Sequence, residues 1–182
     1  HASKKSIKIL KPFMVGDENS FIKVSPNEQL SIDYTIVYDH SLIKEQNFIL
    51  DELNEVKYKE MISSSRTFGF EDEVEFLRAQ GLIKGGSVDN AIVLSKDGIL
   101  NDEDLRFENE FVRHKVLDLI GDIYLSGMSI IGSIEAYCAG HRRTQEMLKF
   151  LMNDRSLSII QDSISSESQN PIYDSKEVIN YI

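Results

Sequence analysis

The chain has 182 residues, 41% of them hydrophobic, which suits one packed domain or one domain with a tail. Thirty acidic residues against 20 basic ones give a net charge of −10 with no basic block, which argues against nucleic acid as a partner, since phosphate binding needs clustered Lys and Arg. The apolar stretches are too short to span a bilayer, so an integral membrane protein is not expected, and the single cysteine, Cys138, excludes an internal disulfide and fits a reducing, cytoplasmic setting.

In chain order, Ser6 to Val15 and Phe21 to Ser25 read as strands joined by a polar turn over residues 16–20. Leu30 to Tyr38 alternates Ile32, Tyr34, Ile36 and Tyr38 with Ser31, Asp33 and Thr35, the pattern of a half-buried strand. Asn47 to Leu50 reads as a further strand and Glu55 to Ser64 as a helix. Glu71 to Gln80 reads as a short helix with acids in its first turn and Gly81 just past its end. Ala91 to Leu94 is a short apolar strand, Glu108 to Leu125 a helix that stops before Gly127, Ser129 to Cys138 a strand, and Arg142 to Met152 the last helix. From Ser156 onward Ser, Gln, Asp, Glu and Asn dominate, so residues 156–182 read as a polar, flexible tail behind a domain of residues 1–155. Strands first, then strands mixed with helices, predict an α+β two-layer sandwich, with helices packed on one face of a mostly antiparallel or mixed sheet.

The helix through Phe111 to Asp122 carries His114, Asp118 and Asp122 at four-residue spacing. Each step of four turns only about 40° around the axis, so the three share one stripe. Next to it lies the core-facing set Val112, Val116, Leu119, Ile120 and Ile123. An imidazole and two carboxylates at the edge of a core are costly to desolvate unless something pairs with them or binds them, and a divalent metal is a candidate. The same spacing also occurs on an ordinary solvated polar face.

Several ordered segments carry a family resemblance. They are Ser65 to Phe70 (Ser-Arg-Thr-Phe-Gly-Phe), Leu77 to Leu82, Gly85 to Val93, Ile99 to Asn101 and Leu105 to Phe107. Glu110 to Lys115, Leu117 with Asp118, Ile120 to Asp122, and the pair Gly140 and His141 complete the set. From about Lys4 to Asn153 the chain resembles the C-terminal half of UDP-3-O-acyl-N-acetylglucosamine deacetylase, the zinc amidohydrolase of lipid A biosynthesis. That resemblance implies two similar domains with the active site between them. One histidine from the first domain and a histidine and an aspartate from the second hold the metal, and a glutamate of the first domain is the general base. The chain starts where the second domain would start, and no segment resembles the first. The resemblance therefore implies half an active site, whose partner is the missing N-terminal domain, in the same gene product or as a separate chain.

Carried over by this resemblance, His114 and Asp118 are the metal ligands and zinc is the cofactor, with one position left open for water. His141 is the catalytic histidine and Asp122 the acid that pairs with it; a charged ring there would stabilise the tetrahedral oxyanion and protonate the departing amine. Thr67 adds its hydroxyl to oxyanion binding. Lys115 contacts the diphosphate of the UDP-sugar lipid precursor, and Asp33, Tyr34, Phe68 and Glu73 fall at positions resembling the uridine-binding region. Phe70, Val74, Ile83, Gly86, Ala91 and Val93 fall in a small inserted βαβ unit over about residues 70–100, where the small Gly86 and Ala91 suit an apolar passage for the acyl chain. By residue type alone, Thr67 is equally a turn hydroxyl, Lys115 a solvated surface cation, His141 a helix-end histidine and the last six residues the insert's own core. Two departures from the family pattern stand out: Asp104 replaces a usual glycine, and residues 142–145 replace a stretch usually richer in asparagine. The alternative to half an enzyme is a catalytically incomplete binding or interaction domain, lacking the first domain's base and metal ligand.

Overall fold

The structure, a computed structural model, describes residues 5–74 and 91–162. The strands are β1 (Lys5–Ile9), β2 (Phe13–Asp17), β3 (Ser20–Ser25), β4 (Ser31–Val37) and β5 (Glu45–Leu50), followed by β6 (Thr67–Phe70), β7 (Ala91–Leu94), β8 (Ser129–Ile131), β9 (Ser133–Tyr137) and β10 (Ser158–Asp162). The helices are α1 (Glu55–Met61), α2 (Glu110–Tyr124) and α3 (His141–Asn153). Five strands form the main sheet in the order β2-β3-β9-β4-β5, with β9 antiparallel to β3 and parallel to β4. Period-two alternation turns Ile22, Val24, Ile32, Tyr34, Ile36, Ile134 and Ala136 into the core. On that face α2 lies across β4 and β5, and α3 across β2 and β3. Helix α2 buries Phe111, Val112, Val116, Leu119, Ile120 and Ile123, while α3 buries Thr144, Met147 and Leu151. The architecture is the expected α+β one, with helices covering one face of a mixed sheet.

Two expected strands are each divided between sheets. The segment from Ser6 to Val15 breaks before Phe13, because Pro12 has no N–H to give to a ladder, and Leu10 and Lys11 instead donate to the Leu157 carbonyl. Its first half, β1, joins a three-stranded sheet in the order β10-β1-β8, while its second half, β2, edges the main sheet. The expected strand from Ser129 to Cys138 divides at Gly132 in the same way, β8 running parallel to β1 and β9 entering the main sheet. A Cβ at residue 132 would lie 2.5 Å from Ile9 Cγ1 and 3.1 Å from the Ser25 carbonyl oxygen. Only glycine lets the crossing chains approach this closely.

The segment read as a polar tail begins in ordered structure. Residues 158–162 form β10, antiparallel to β1, and the Ser158 hydroxyl donates to the Leu151 carbonyl at 3.1 Å. Strands β6 and β7 pair in parallel, Thr67 opposite Ala91 and Phe70 opposite Leu94, the pairing that a βαβ crossover produces. Residues 71–74 are helical; the rest of the expected 71–80 helix, with Ile83 and Gly86, lies outside the described residues. Among the described residues no helix is long and apolar enough to cross a membrane.

Candidate metal and catalytic site

The stripe on α2 forms as its spacing requires, and it runs along the edge of the core. His114 and Asp118 are partly exposed, and Nε2 of His114 lies 3.3 Å from Oδ1 of Asp118. Zinc bonds of about 2.0–2.1 Å at tetrahedral angles hold two ligand atoms about 3.3 Å apart. The other ring nitrogen, Nδ1, meets the Ser65 carbonyl oxygen at 3.2 Å. A carbonyl only accepts, so Nδ1 carries the proton and donates. In the neutral ring Nε2 is then a lone pair facing a carboxylate oxygen. Two acceptors at that distance repel unless a proton or a cation lies between them. The donor set and its backbone support both fit a metal ion. Burial pushes the Asp118 carboxyl up, but the interactions with His114 and Lys115 outweigh it and hold the group below the usual carboxylate range.

One turn further along, about 6 Å by the helical rise, Asp122 accepts a hydrogen bond from His141 Nδ1 at 2.7 Å. The His141 side chain is 61% exposed, so its Nε2 edge is open to an incoming molecule, whereas Asp122 is 12% exposed and fixed. His141 is the first residue of α3, and the short connection before it is tied to β4 at two points. Cys138 N donates to the Thr35 carbonyl at 2.8 Å, and the Tyr34 hydroxyl donates to the Ala139 carbonyl. Cys138 itself takes a left-handed backbone with φ of 44°, which turns the chain sharply between β9 and α3.

The other expected residues divide into two groups. Lys115 Nζ lies 3.2 Å from Oδ2 of Asp118 and 5.6 Å from the centre of the Phe68 ring, so Phe68 and Lys115 share a wall with the His114–Asp118 pair. Thr67 is exposed at the start of β6, two residues after the Ser65 carbonyl that supports His114. Ala91 stands opposite Thr67 at the start of the β6–β7 pair, and Val74 packs near Gly69, toward its other end. Phe70 meets the rings of Tyr38 and His40, and Val93 is buried. Asp33, by contrast, accepts from Asn47 Nδ2 at 2.7 Å on the main sheet. Tyr34 is 2% exposed, a core residue whose hydroxyl is already engaged, and burial raises that hydroxyl's pKa. Glu73 is exposed and lies within electrostatic reach of Tyr38, as does Lys115.

Three participants escape a reading of motifs. The Ser65 carbonyl belongs to the backbone and leaves no side-chain signature. Tyr38 packs edge-on against Phe68 at 5.6 Å between ring centres and feels both Lys115 and Asp118. Glu110 stands four residues before His114, on the same ladder as Asp118 and Asp122, and extending the stripe by one step backward would have found it. Among the described residues no three His, Cys, Asp or Glu side chains gather closely enough to hold a metal by themselves.

Comparison with known proteins identifies the family. The family described as UDP-3-O-acyl N-acetylglycosamine deacetylase matches residues 1–153. The UDP-3-O-acyl-N-acetylglucosamine deacetylase of Nautilia profundicola is 46% identical over 159 residues, covering 87% of this chain and 54% of that protein. The corresponding proteins of Wolinella succinogenes and Syntrophus aciditrophicus are 44% and 45% identical, covering 85% and 84% of this chain and 51% and 48% of theirs. The chain thus spans about half the length of the curated relatives it matches. With a match over residues 1–153 and identities in the forties, the chain belongs to the UDP-3-O-acyl N-acetylglycosamine deacetylase family.

Proposed function

We propose that the chain supplies the second-domain half of a zinc-dependent amidohydrolase that removes acetate from UDP-3-O-acyl-N-acetylglucosamine in lipid A biosynthesis, acting in the cytoplasm. The observation that carries this reading is the His114–Asp118 pair at 3.3 Å on one helical stripe with the His141–Asp122 pair. His114 and Asp118 would hold the zinc, which when bound supplies a Lewis acid for the amide carbonyl and acidifies a water. A catalytic zinc site takes three protein ligands. The third, with the general base, comes in this reading from the other domain of the enzyme. His141, held through Nδ1 by Asp122, presents Nε2 to the reacting amide, where it stabilises the developing oxyanion and passes a proton to the departing amine. Thr67 adds a hydroxyl donor. Lys115 offers its ammonium to the diphosphate, Phe68 offers a ring face to the uracil, and Glu73 lies at the same mouth. Val74, Ala91 and Phe70 line the start of the acyl passage. Asp33 and Tyr34, at positions resembling the uridine-binding region, are engaged by Asn47 and by the Ala139 carbonyl.

The test is acetate release from the UDP-sugar substrate. The 182-residue chain alone should bind zinc weakly and turn over negligibly, because two ligands without a base do not complete the site. Joined to the N-terminal half of the Wolinella succinogenes relative, it should regain activity, and His141→Ala should then lower kcat far more than it raises KM. Turnover by the isolated chain comparable to that of a full-length relative, or a joined protein that binds zinc yet is unaffected by His141→Ala, would overturn the proposal.

A further inference from the structure

The most deeply buried charged groups among the described residues take no part in the chemistry above. Glu110 is fully buried and Arg66 is 5% exposed. Glu110 Oε1 accepts from Arg66 Nε at 3.0 Å and from the Arg66 backbone N–H at 2.9 Å, while Oε2 accepts from Arg66 Nη2 at 3.1 Å and from the Arg106 backbone N–H at 2.7 Å. The remaining guanidinium donors reach Glu103 Oε2 at 3.3 Å and the Asp104 carbonyl at 2.8 Å. The desolvation of such a pair roughly cancels its attraction, so stability alone gives little reason for it. Its position gives a better one. The N–H that Glu110 accepts and the carbonyl that His114 Nδ1 meets belong to one peptide group, between Ser65 and Arg66. In a trans peptide the two point in opposite directions. Glu110 and His114 lie one turn apart on α2, so this peptide lies along the helix with each end on one of them. The Ser65 hydroxyl finds no partner, so the segment is held here by its peptide groups rather than by that side chain.

We infer that Glu110, locked by Arg66, is a positioning residue for His114: it orients the Ser65–Arg66 peptide so that the carbonyl fixes the Nδ1–H tautomer and turns the Nε2 lone pair toward Asp118. Glu110 touches neither substrate nor metal. It acts on the ligand through one peptide plane, as an outer-shell partner does at a metal site. The inference rests on the zinc reading only for its chemical purpose, and its main measurement needs no metal.

That measurement is the ring 15N pattern of His114 in the metal-free chain, at a pH where the ring is neutral, with zinc affinity measured separately. The unaltered chain should show a single Nδ1–H tautomer. Glu110→Gln keeps an acceptor oxygen for the Arg66 N–H, and should retain the tautomer even where it lowers stability. The double variant Arg66→Met with Glu110→Leu keeps the volume but frees the peptide. It should show a mixture of tautomers and bind zinc about 10–100-fold more weakly. Should that variant not fold, Glu110→Asp keeps the charge but draws the oxygen back by a methylene, and should give the same mixture. A single Nδ1–H tautomer with unchanged zinc affinity in the folded variants would overturn the inference and leave the pair a purely structural one. Tautomer mixing in the variants, with no zinc binding even by the unaltered chain, would uphold the inference while removing the zinc reading.

Discussion

At the residue scale, His114, Asp118 and Asp122 stand at successive turns of α2, with side chains 14%, 24% and 12% exposed. Residues four apart on α2 must share a stripe, so the neighbourhood of His114, Asp118 and Asp122 follows from their numbers alone. The partner of Asp122 does not, because His141 comes from another helix and reaches it only after β8 and β9 have been placed. Tyr34 shows the converse. Strand alternation tells that it faces inward, but not that its hydroxyl meets the Ala139 carbonyl in the connection that carries His141. Tyr34→Phe removes that donor and leaves a buried carbonyl without a partner. The expected cost is about 1–3 kcal/mol in urea unfolding. Broadened backbone NMR signals should also appear from Cys138 to His141, because the connection loses one of its two ties to β4. Unchanged stability together with sharp signals would show that the carbonyl is satisfied in another way.

At the element scale, the pattern of apolar residues places strands well but does not say which sheet receives them. Ile7 and Ile9 look much like Phe13 and Val15 in sequence, yet they belong to different sheets, because Pro12 ends one ladder. Gly132 marks the second such crossing. Gly132→Ala would drive a methyl group into Ile9 and the Ser25 carbonyl, and overpacking of this kind costs about 1–3 kcal/mol. A lowered melting temperature would register it. A melt identical to that of the unaltered chain would mean that β1 shifts freely there. Strand β10 was the least legible element, since Ser158 to Asp162 sits in a polar context and both Ile159 and Ile160 remain half exposed. What orders it is the open edge of β1, a partner more than 140 residues away in sequence.

At the scale of the whole molecule, acid sensitivity follows from the buried pair. Burial pushes the Glu110 carboxyl up, but Arg66 and two backbone N–H donors outweigh it and hold the group below its ordinary range. With the folded value lower than the unfolded one, the unfolded state binds more protons as the pH falls. The contribution of Glu110 is therefore complete above about pH 4.3, and is lost as the pH drops through the lower folded value. Asp118 shifts in the same direction and adds to the loss. The urea midpoint should stay nearly level from pH 7 to pH 5.5 on account of these groups, then fall below about pH 4.5. In Glu110→Gln that acid limb should be shallower, on a baseline about 1–3 kcal/mol lower from the weakened charge-assisted bonds. An acid limb of the same slope in both proteins would place the sensitivity elsewhere.

The sequence by itself determined the family, the α+β class, the α2 stripe and the identity of three ionisable groups upon it, His114, Asp118 and Asp122. Those features are local or are carried by side-chain identity: helical periodicity, strand alternation and ordered motifs need no partner to be read. Tertiary structure alone decided the rest. Which sheet each half-strand enters depends on chain crossings at Pro12 and Gly132. The pairing of His141 with Asp122 depends on the turn at Cys138. The tautomer of His114 depends on a backbone carbonyl from a segment 49 residues earlier, aimed by a buried carboxylate. Backbone groups are the same in every residue but proline, so where they point is fixed by packing and is not spelled in side chains.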